Sequence, residues 1–479
     1  MRFPLLGKLA ALTAVGAALM VGLSLVGGVV HDRQAWQAEA ENSVAQSLAT
    51  QQTLLGPVLQ RHCEERWERT EGEGKDRKTV TNERTFVLTA WPQRLDVTSR
   101  AAIEARYRGI FKTNSYLLKA GISADWQNLA ALRPVAEQPG ARLRCDAPVL
   151  AVALSDARGI RMAGVKIGGE PLAVLPGSAL AGLEPGLHAV LDDVPALYAA
   201  AQHVEITLEL AGTRSLAWVP VGDQTTIRVA SDWPHPSFAG SFLPVAREVG
   251  PQGFDAQWKV SALATNAQRG VLAGAGICPI VDAADDEGYL TSARAASPPK
   301  CLEAFGVTFI DPVNSRMLSD RAVKYGLLFI VLTFVGVTLT EVLRRLRVHP
   351  IQYLLVGCAL TVFFLLLLSL GEHLPFGLAY LCAAAACTLL LAYYGGHVLQ
   401  GKRAGLAFGA GIAALYGALY AVLQLEQTAL VLGSILLFAV LAAVMVATRR
   451  IDWYALAARM RDDAAAPIEA AGAAAAEPV

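Results

Sequence analysis

The groups in this chain that could carry chemistry are few, and their spacing says which chemistry each would suit. In SDWPHPSFAGSFLPVAR, residues 231–247, His235 and Ser237 stand two apart beside Trp233, Phe238 and Ser241. A histidine that takes a serine's proton makes a nucleophile, so this pair would suit an external hydrolase acting on wall or peptide substrates. The plainer reading is a proline-stiffened loop whose aromatic rings pack on the domain beneath. His203 and Glu205 share one face of a strand, as two metal ligands would, but no third ligand is apparent, and an exposed strand pair is the plainer account. No H-E-x-x-H, G-x-S-x-G, S-x-x-K with S-D-N, or G-x-x-x-x-G-K-[ST] is present. The expectation is therefore no enzyme: no catalytic residue, no cofactor and no metal.

Cysteine chemistry divides by position. Cys63, Cys145, Cys278 and Cys301 fall in a polar segment, and Cys358, Cys382 and Cys387 in apolar ones. Four cysteines in an exported domain allow three disulfide connectivities. Cys278 with Cys301 is the favoured pair, because the two bracket the polar loop VDAADDEGYLTSARAASPPK. Closing a loop of that size is worth about 3 kcal/mol. Cys63 with Cys145 then remains. No C-x-x-C is present, which argues against a zinc ribbon or a thioredoxin-like site.

The elements that position these groups are set by hydropathy. Six apolar spans can be drawn, at about 9–30, 325–343, 351–370, 376–394, 404–424 and 428–447. A helix needs roughly 20 such residues to cross a bilayer. The first run is longer than a signal-peptide core and is read as an uncleaved anchor. Arg2 and Lys8 precede span one, Arg344, Arg345 and Arg347 follow span two, Lys402 and Arg403 follow span four, and Arg449 and Arg450 follow span six. The turns at 371–375 and 425–427 carry neither Lys nor Arg. Basic residues stay inside, so both termini are expected in the cytoplasm and residues 31–320 outside. The domains expected are an anchor at 1–30, a helical stalk at 31–55, a periplasmic β-rich domain at 56–320, a five-helix transmembrane domain at 321–450, and a tail at 451–479, Ala-rich and disordered at its end. A formal net charge of zero gives no field that would recruit nucleic acid.

Charged groups at the span ends are candidates for coupling the domain to the membrane: Arg321, Lys324, Glu341, Glu372, His373 and Glu426. Glu341 stands three and four residues before Arg344 and Arg345, the spacing of an ion pair on one helix face. Glu372, His373 and Glu426 sit in the turns that face the external domain, where a solvated turn is the plainer account. No span has an ionisable group near its middle, which speaks against proton-coupled transport. Gly405 and Gly409 form a G-x-x-x-G that close helix packing explains.

The segment 31–320 alternates with period two. Leu95 and Val97, Ile103 to Tyr107, Val204 to Leu210 and Ala256 to Val260 place apolar residues at every second position. Turn signals at 108, 176, 211 and 221 separate the runs. The fold class expected is mixed: a sandwich-like β-rich domain, with room for a division into two modules near 140–150, plus six transmembrane helices.

The runs VKYGLLFIVLTFVGVTLTEVL, HPIQYLLVGCALTVFFLLLLSLGEHLPFGLAY and LYGALYAVLQLEQTALVLGSILLFAVLAAVMVATRRIDWY resemble the membrane half of the CreD family. DWPHPSFAGSFLPVAR, GFDAQW and RYRGIF resemble its soluble half, and the likeness extends from the first anchor to Tyr454. Gly371, where the family pattern has a serine before Glu-His, is a departure. The resemblance implies an inner-membrane protein of Gram-negative bacteria, in the regulon of a two-component system and linked to envelope stress, colicin tolerance and β-lactam response. It supplies no catalytic or ligand-binding residue. The function expected is that of an envelope-integrity protein acting by protein or envelope contacts; the alternative is a transporter or channel through the C-terminal helices. The partners expected are the lipid bilayer and envelope proteins the sequence does not name.

Overall fold

Alternation with period two becomes strands with one buried face. The computed structural model describes residues 4–71, 78–109, 111–280, 301–309, 315–344, 348–399, 401–424 and 429–449. Leu95 and Val97, Val204, Ile206, Leu208 and Leu210, and Ala256, Trp258 and Val260 are all buried. The chain divides into two compact units, Gln37–Pro312, and Met1–Trp36 with Val313–Val479.

The helix α1 (Pro4–Ser47) leads into the strands β1 (Gln52–Glu71), β2 (Lys78–Ala90), β3 (Arg94–Arg108), β4 (Phe111–Trp126), β5 (Arg142–Cys145) and β6 (Val149–Leu154). Then come β7 (Ile160–Ile167), β8 (Glu170–Leu172), β9 (Leu175–Pro176), β10 (Gly186–Val190), a short α2 (Pro195–Ala199) and β11 (Gln202–Thr213). The unit ends with β12 (Ser215–Val219), β13 (Gln224–Ser231), β14 (Pro236–Gly240), β15 (Ala246–Gly250), β16 (Gly253–Ser261), α3 (Ala267–Leu272) and β17 (Phe305–Phe309). One sheet runs β14-β17-β12-β1-β6-β10-β9, with β2 and β5 also on β1; the other runs β15-β16-β13-β3-β4-β11-β7-β8.

Two expectations need correction here. The stalk was expected to stay helical to residue 55, but α1 ends at Ser47 and Gln52 already opens β1; the run TLLGPVL suits a buried strand better than a solvated helix. A division near 140–150 is not made either. β1 pairs in parallel with β12, and β3 with β13, so strands from before residue 140 depend on strands from after residue 200. One apolar core, from Leu54 to Phe309, joins both sheets. Within it the Tyr116 hydroxyl, on β4, donates to the Ser215 carbonyl, on β12, at 2.7 Å and ties sheet to sheet. Burial pushes that phenol's pKa up.

In the other unit follow α4 (Ser315–Lys324), α5 (Gly326–Arg344), α6 (Pro350–Gly371), α7 (Phe376–Val398), α8 (Lys402–Gln424) and α9 (Ala429–Thr448). Four helical stretches are long and apolar enough to cross a membrane: Ala10–Ser47, Pro350–Gly371, Phe376–Val398 and Lys402–Gln424. The apolar parts of α5 and α9, Gly326–Glu341 and Gly433–Val446, are shorter than that measure. α6 starts on a capping box: the His349 Nδ1 accepts from Ile351 N, the Gln352 Oε1 accepts from His349 N, and Pro350 fills the first turn. Leu19, Leu23 and Val26 of α1 share a core with Phe329, Phe363, Phe364, Tyr380 and Tyr416, so α1 is packed among these helices. α7 and α8 pack backbone to backbone at the G-x-x-x-G. A Cβ on Gly405 would stand 2.5 Å from the Gly396 backbone, and one on Gly409 2.5 Å from the Ala392 Cβ.

Candidate functional site

Several clusters of polar groups lie at the ends of helices. Where α1 meets the sheets, its last turn holds no basic residue to answer the carbonyl end of its dipole. Arg158 supplies the charge from the loop between β6 and β7: its Nη1 donates to Gln46 O at 2.6 Å. Its Nε and Nη2 donate to the Asp156 carboxylate at 2.9 and 2.6 Å. The same carboxylate accepts from Thr50 N at 3.0 Å and Thr50 Oγ1 at 3.1 Å. Burial opposes the charge on Asp156, but the bonds from Arg158 and Thr50 outweigh it and hold its carboxyl down to about 2.

The buried Gln52 Nε2 bridges Asp156 O and Ala211 O. The Thr213 Oγ1 donates to Ala49 O at 3.1 Å, and Arg214 pairs with Glu41 at 2.7 Å, further back along α1. Residues 41–52 are thus fixed to the β-rich unit by bonds from two separate parts of it, residues 156–158 and 211–214. Sequence reading missed this cluster. The available signal was Asp156 with Arg158 two residues on, an Asp-x-Arg-Gly turn in which the Asp side chain caps its own loop.

In the helical unit, Glu372 caps the C-terminus of α6 and pairs with the Arg33 Nε of α1 at 3.3 Å. The Glu372 side chain is only 13% exposed and Arg33 43%, so the pair is half-buried. Arg33 stands three residues past the apolar run of α1 and was not among the expected coupling residues. His373 is exposed and continues the cap, donating its N–H to Leu370 O at 3.1 Å. Arg321 and Lys324 lie in the last turn of α4, where cations suit the helix dipole. Glu426 lies outside the described residues.

Glu341 is buried at 7% exposure, near the end of α5. Its Oε1 accepts from Val348 N at 3.1 Å and its Oε2 from the Tyr353 hydroxyl at 2.9 Å. Tyr353 is fully buried, with Thr338 Oγ1 at 3.1 Å. The carboxylate thus accepts from the start of the next helix; the expected ion pair falls on the Arg344 side chain and Arg345, which lie outside the described residues. Glu341 and Glu372 stand at opposite ends of α6, which at 22 residues is about 33 Å long. They form two sites.

Cys63 is bonded to Cys145 and Cys278 to Cys301. In the His235 segment, the Trp233 Nε1 donates to His235 O at 2.9 Å. Ser237 is a ladder residue opposite Thr308, and Phe238 packs edge-on against Phe254 and Trp258. His203 does have a third neighbour: its Nδ1 lies 2.6 Å from Asp125 and its Nε2 3.5 Å from Glu205. Among the described residues no group of three or more His, Cys, Asp or Glu is arranged to hold a metal ion.

Several long apolar helices, packed with the start of α1 and followed by charged caps, together with a two-sheet unit, define a multi-pass membrane protein carrying a β-rich domain. Residues 4–454 match the family described as inner membrane protein CreD. The inner membrane protein CreD of Escherichia coli (strain K12) is 31% identical over 458 residues, covering 95% of this chain and 95% of its own. The chain belongs to the CreD family of inner membrane proteins. Among solved structures, an M1 zinc metallopeptidase from Deinococcus radiodurans aligns at a TM-score of 0.20 and 12% identity, over 35% of this chain and 38% of that one. A likeness that slight carries no argument.

Proposed function

We propose that this protein maintains envelope integrity under stress through contacts of its β-rich unit with envelope proteins, with no catalytic step and no cofactor. It crosses the inner membrane six times, with both termini in the cytoplasm and residues 31–320 in the periplasm. Basic connections at 344–347, 402–403 and 449–450 alternate with turns that lack Lys and Arg, which supports that topology. Two disulfides in the β-rich unit suit an oxidising compartment. The shorter apolar parts of α5 and α9 reach across with help from residues flanking them.

The observation that carries the contact reading is the pair Arg33–Glu372. It holds α1, which continues into the β-rich unit, to the cap of α6. A binding event on the β-rich unit that displaced α1 would therefore load this pair. The test is complementation of a null strain's envelope phenotype. Arg33→Glu and Glu372→Arg, each alone, should impair it at normal expression, and the two together should restore it. Full complementation by both single variants would refute coupling through this pair.

A further inference from the structure

We infer that a cleft across β2, β1 and β5 is a binding site for a free zwitterionic α-amino acid with an apolar side chain of modest size. The cleft lies wholly within the β-rich unit. β1 is the middle strand of the three. Its Glu64 stands opposite Thr85 of β2 on one side and Arg144 of β5 on the other, and its His62 stands opposite Val87. Asp146 N donates to His62 O at 2.9 Å, which carries the β1–β5 ladder one residue further. Side chains two apart on a strand share a face. These six residues accordingly line one cleft, of about 310 Å³. That is at the small end of the range for ligand pockets, about 300–1,000 Å³, and suits one amino acid rather than a peptide.

The charges in the cleft fix the class of ligand. Arg144 and Asp146 are exposed, and the side chain of neither makes a hydrogen bond or ion pair among the described residues. Glu64, the natural partner of Arg144 across the ladder, pairs with Arg66 instead. One cation and one anion are thus left unanswered two residues apart on one face, about 7 Å along the strand. An α-amino acid carries both opposite charges on a single carbon, so a bond of about 2.8 Å on either side bridges side chains at that spacing. The Arg144 guanidinium is a planar fork that matches the ligand carboxylate, and the Asp146 carboxylate accepts from the ligand ammonium. Val87, 43% exposed, offers the apolar contact for the ligand side chain.

The neighbouring residues give the contrast. Further along the same strands the charges answer one another: Arg66 pairs with Glu64 and Glu83, and Arg84 with Glu65 and Glu137. Only at the cleft do opposite charges stand without partners of their own. Their backbone is firmly held. Cys145 lies between Arg144 and Asp146, Cys63 lies between His62 and Glu64, and the disulfide that joins the two pins β5 to β1 beneath the cleft. The buried Arg61 donates its Nε to Asp146 O at 2.9 Å and is itself paired with Asp193. A site set on strands so fixed loses little freedom when a ligand binds.

The test is saturation-transfer difference NMR on the full chain in nanodiscs, with empty nanodiscs as the blank. The probes are leucine, N-acetylleucine, which lacks the ammonium, and leucinamide, which lacks the carboxylate. Leucine methyl signals should take up saturation above the blank, and each analogue should bind about tenfold more weakly. Asp146→Asn should weaken leucine about tenfold and leave N-acetylleucine unchanged; Arg144→Gln should weaken leucine as much and leave leucinamide unchanged. Arg142→Gln, on the same strand but outside the cleft, should alter none of the three. Both cleft residues are exposed and unpaired, so an unchanged melting midpoint is expected and shows that each variant has folded. No saturation of leucine above the blank, or analogues that bind as well as leucine, would overturn the proposal. So would leucine binding indifferent to Arg144→Gln and Asp146→Asn, or weakened equally by Arg142→Gln.

Discussion

The two units of this protein solve the problem of polar backbone and close packing by different means. In the helical unit, backbone hydrogen bonding is satisfied mainly within each helix, and beside a few directed bonds such as Tyr353 to Glu341 and Tyr380 to the Tyr416 carbonyl, what joins one helix to the next is contour: Gly405 against the Gly396 backbone, Gly357 beneath Leu19, and the rings of Phe329, Phe363, Tyr380 and Tyr416. In the β-rich unit, directed bonds fix parts far apart in sequence, as Asp156 does with Thr50 and Tyr116 with Ser215. Lipid removes the hydrophobic drive for helices to associate, so small residues and shape carry that task. Water restores the drive, and polar bonds then choose among compact arrangements. Steric substitutions should therefore injure the first unit and charge substitutions the second.

The sharpest way to break that division is a side chain at Gly405. Gly405→Leu puts a Cβ 2.5 Å from backbone atoms of Gly396, which cannot turn aside, so α7 and α8 must part. The expected cost is about 3 kcal/mol or more. Gly411→Leu on the same helix meets open space and should cost little. Denaturation of the full chain in a detergent titration, read by helical signal, should show an early midpoint for the first variant only. The disulfide-bonded β-rich unit should keep its resistance to protease in both.

Charge gives the second test. Asp156→Asn keeps the shape but loses the charge-assisted bonds from Arg158 and Thr50, at about 2 kcal/mol. For a unit of this size that lowers the melting midpoint by about 5 °C. The carboxyl is depressed to about 2 when folded. Its contribution is therefore complete above the unfolded value near 3.9, and is lost as pH falls through that value toward 2. The wild-type midpoint should drop over that window, and the variant's curve there should be flatter. An equal slope in both would show that other carboxylates set the acid response.

How much of this could be read in the sequence follows from the range of each interaction. Val204 to Leu210 and Ala256 to Val260 announce their strands because burial on one face leaves a period of two. Ser215 to Val219 of β12 and Leu150 to Leu154 of β6 do not: they are buried throughout, and a run of buried residues has no period. G-x-x-x-G was legible because both glycines lie on one helix, whereas their partners Gly396 and Ala392 are visible only once α7 lies against α8. Arg33 was overlooked because it stands alone past an apolar run, where a lone cation reads as solvated. Helical spacing pointed Glu341 to the nearest arginines and could not show its bonds from Val348 N and Tyr353, which depend on where the start of α6 lies. The parallel pairing of β3 with β13 spans more than a hundred residues, and no local signal encodes it.

The smallest effect tests the edge of the comparison, where a charged group lies on an exposed strand. The His203 imidazole is held above its ordinary pKa, first by its bond to Asp125 and then by Glu205. Across the ladder, Lys166 stands opposite Glu205 and Arg94 opposite Asp125. Because the folded value is raised, the stabilisation is complete below about pH 6.5 and is lost as pH rises through the folded value. All three side chains are close to half exposed, so water and salt screen most of it. The melting midpoint of the β-rich unit should fall by about 1 °C or less from pH 6 to pH 8 on this account, and His203→Gln should remove that part. A fall of several degrees that survives His203→Gln would place the pH response on another group.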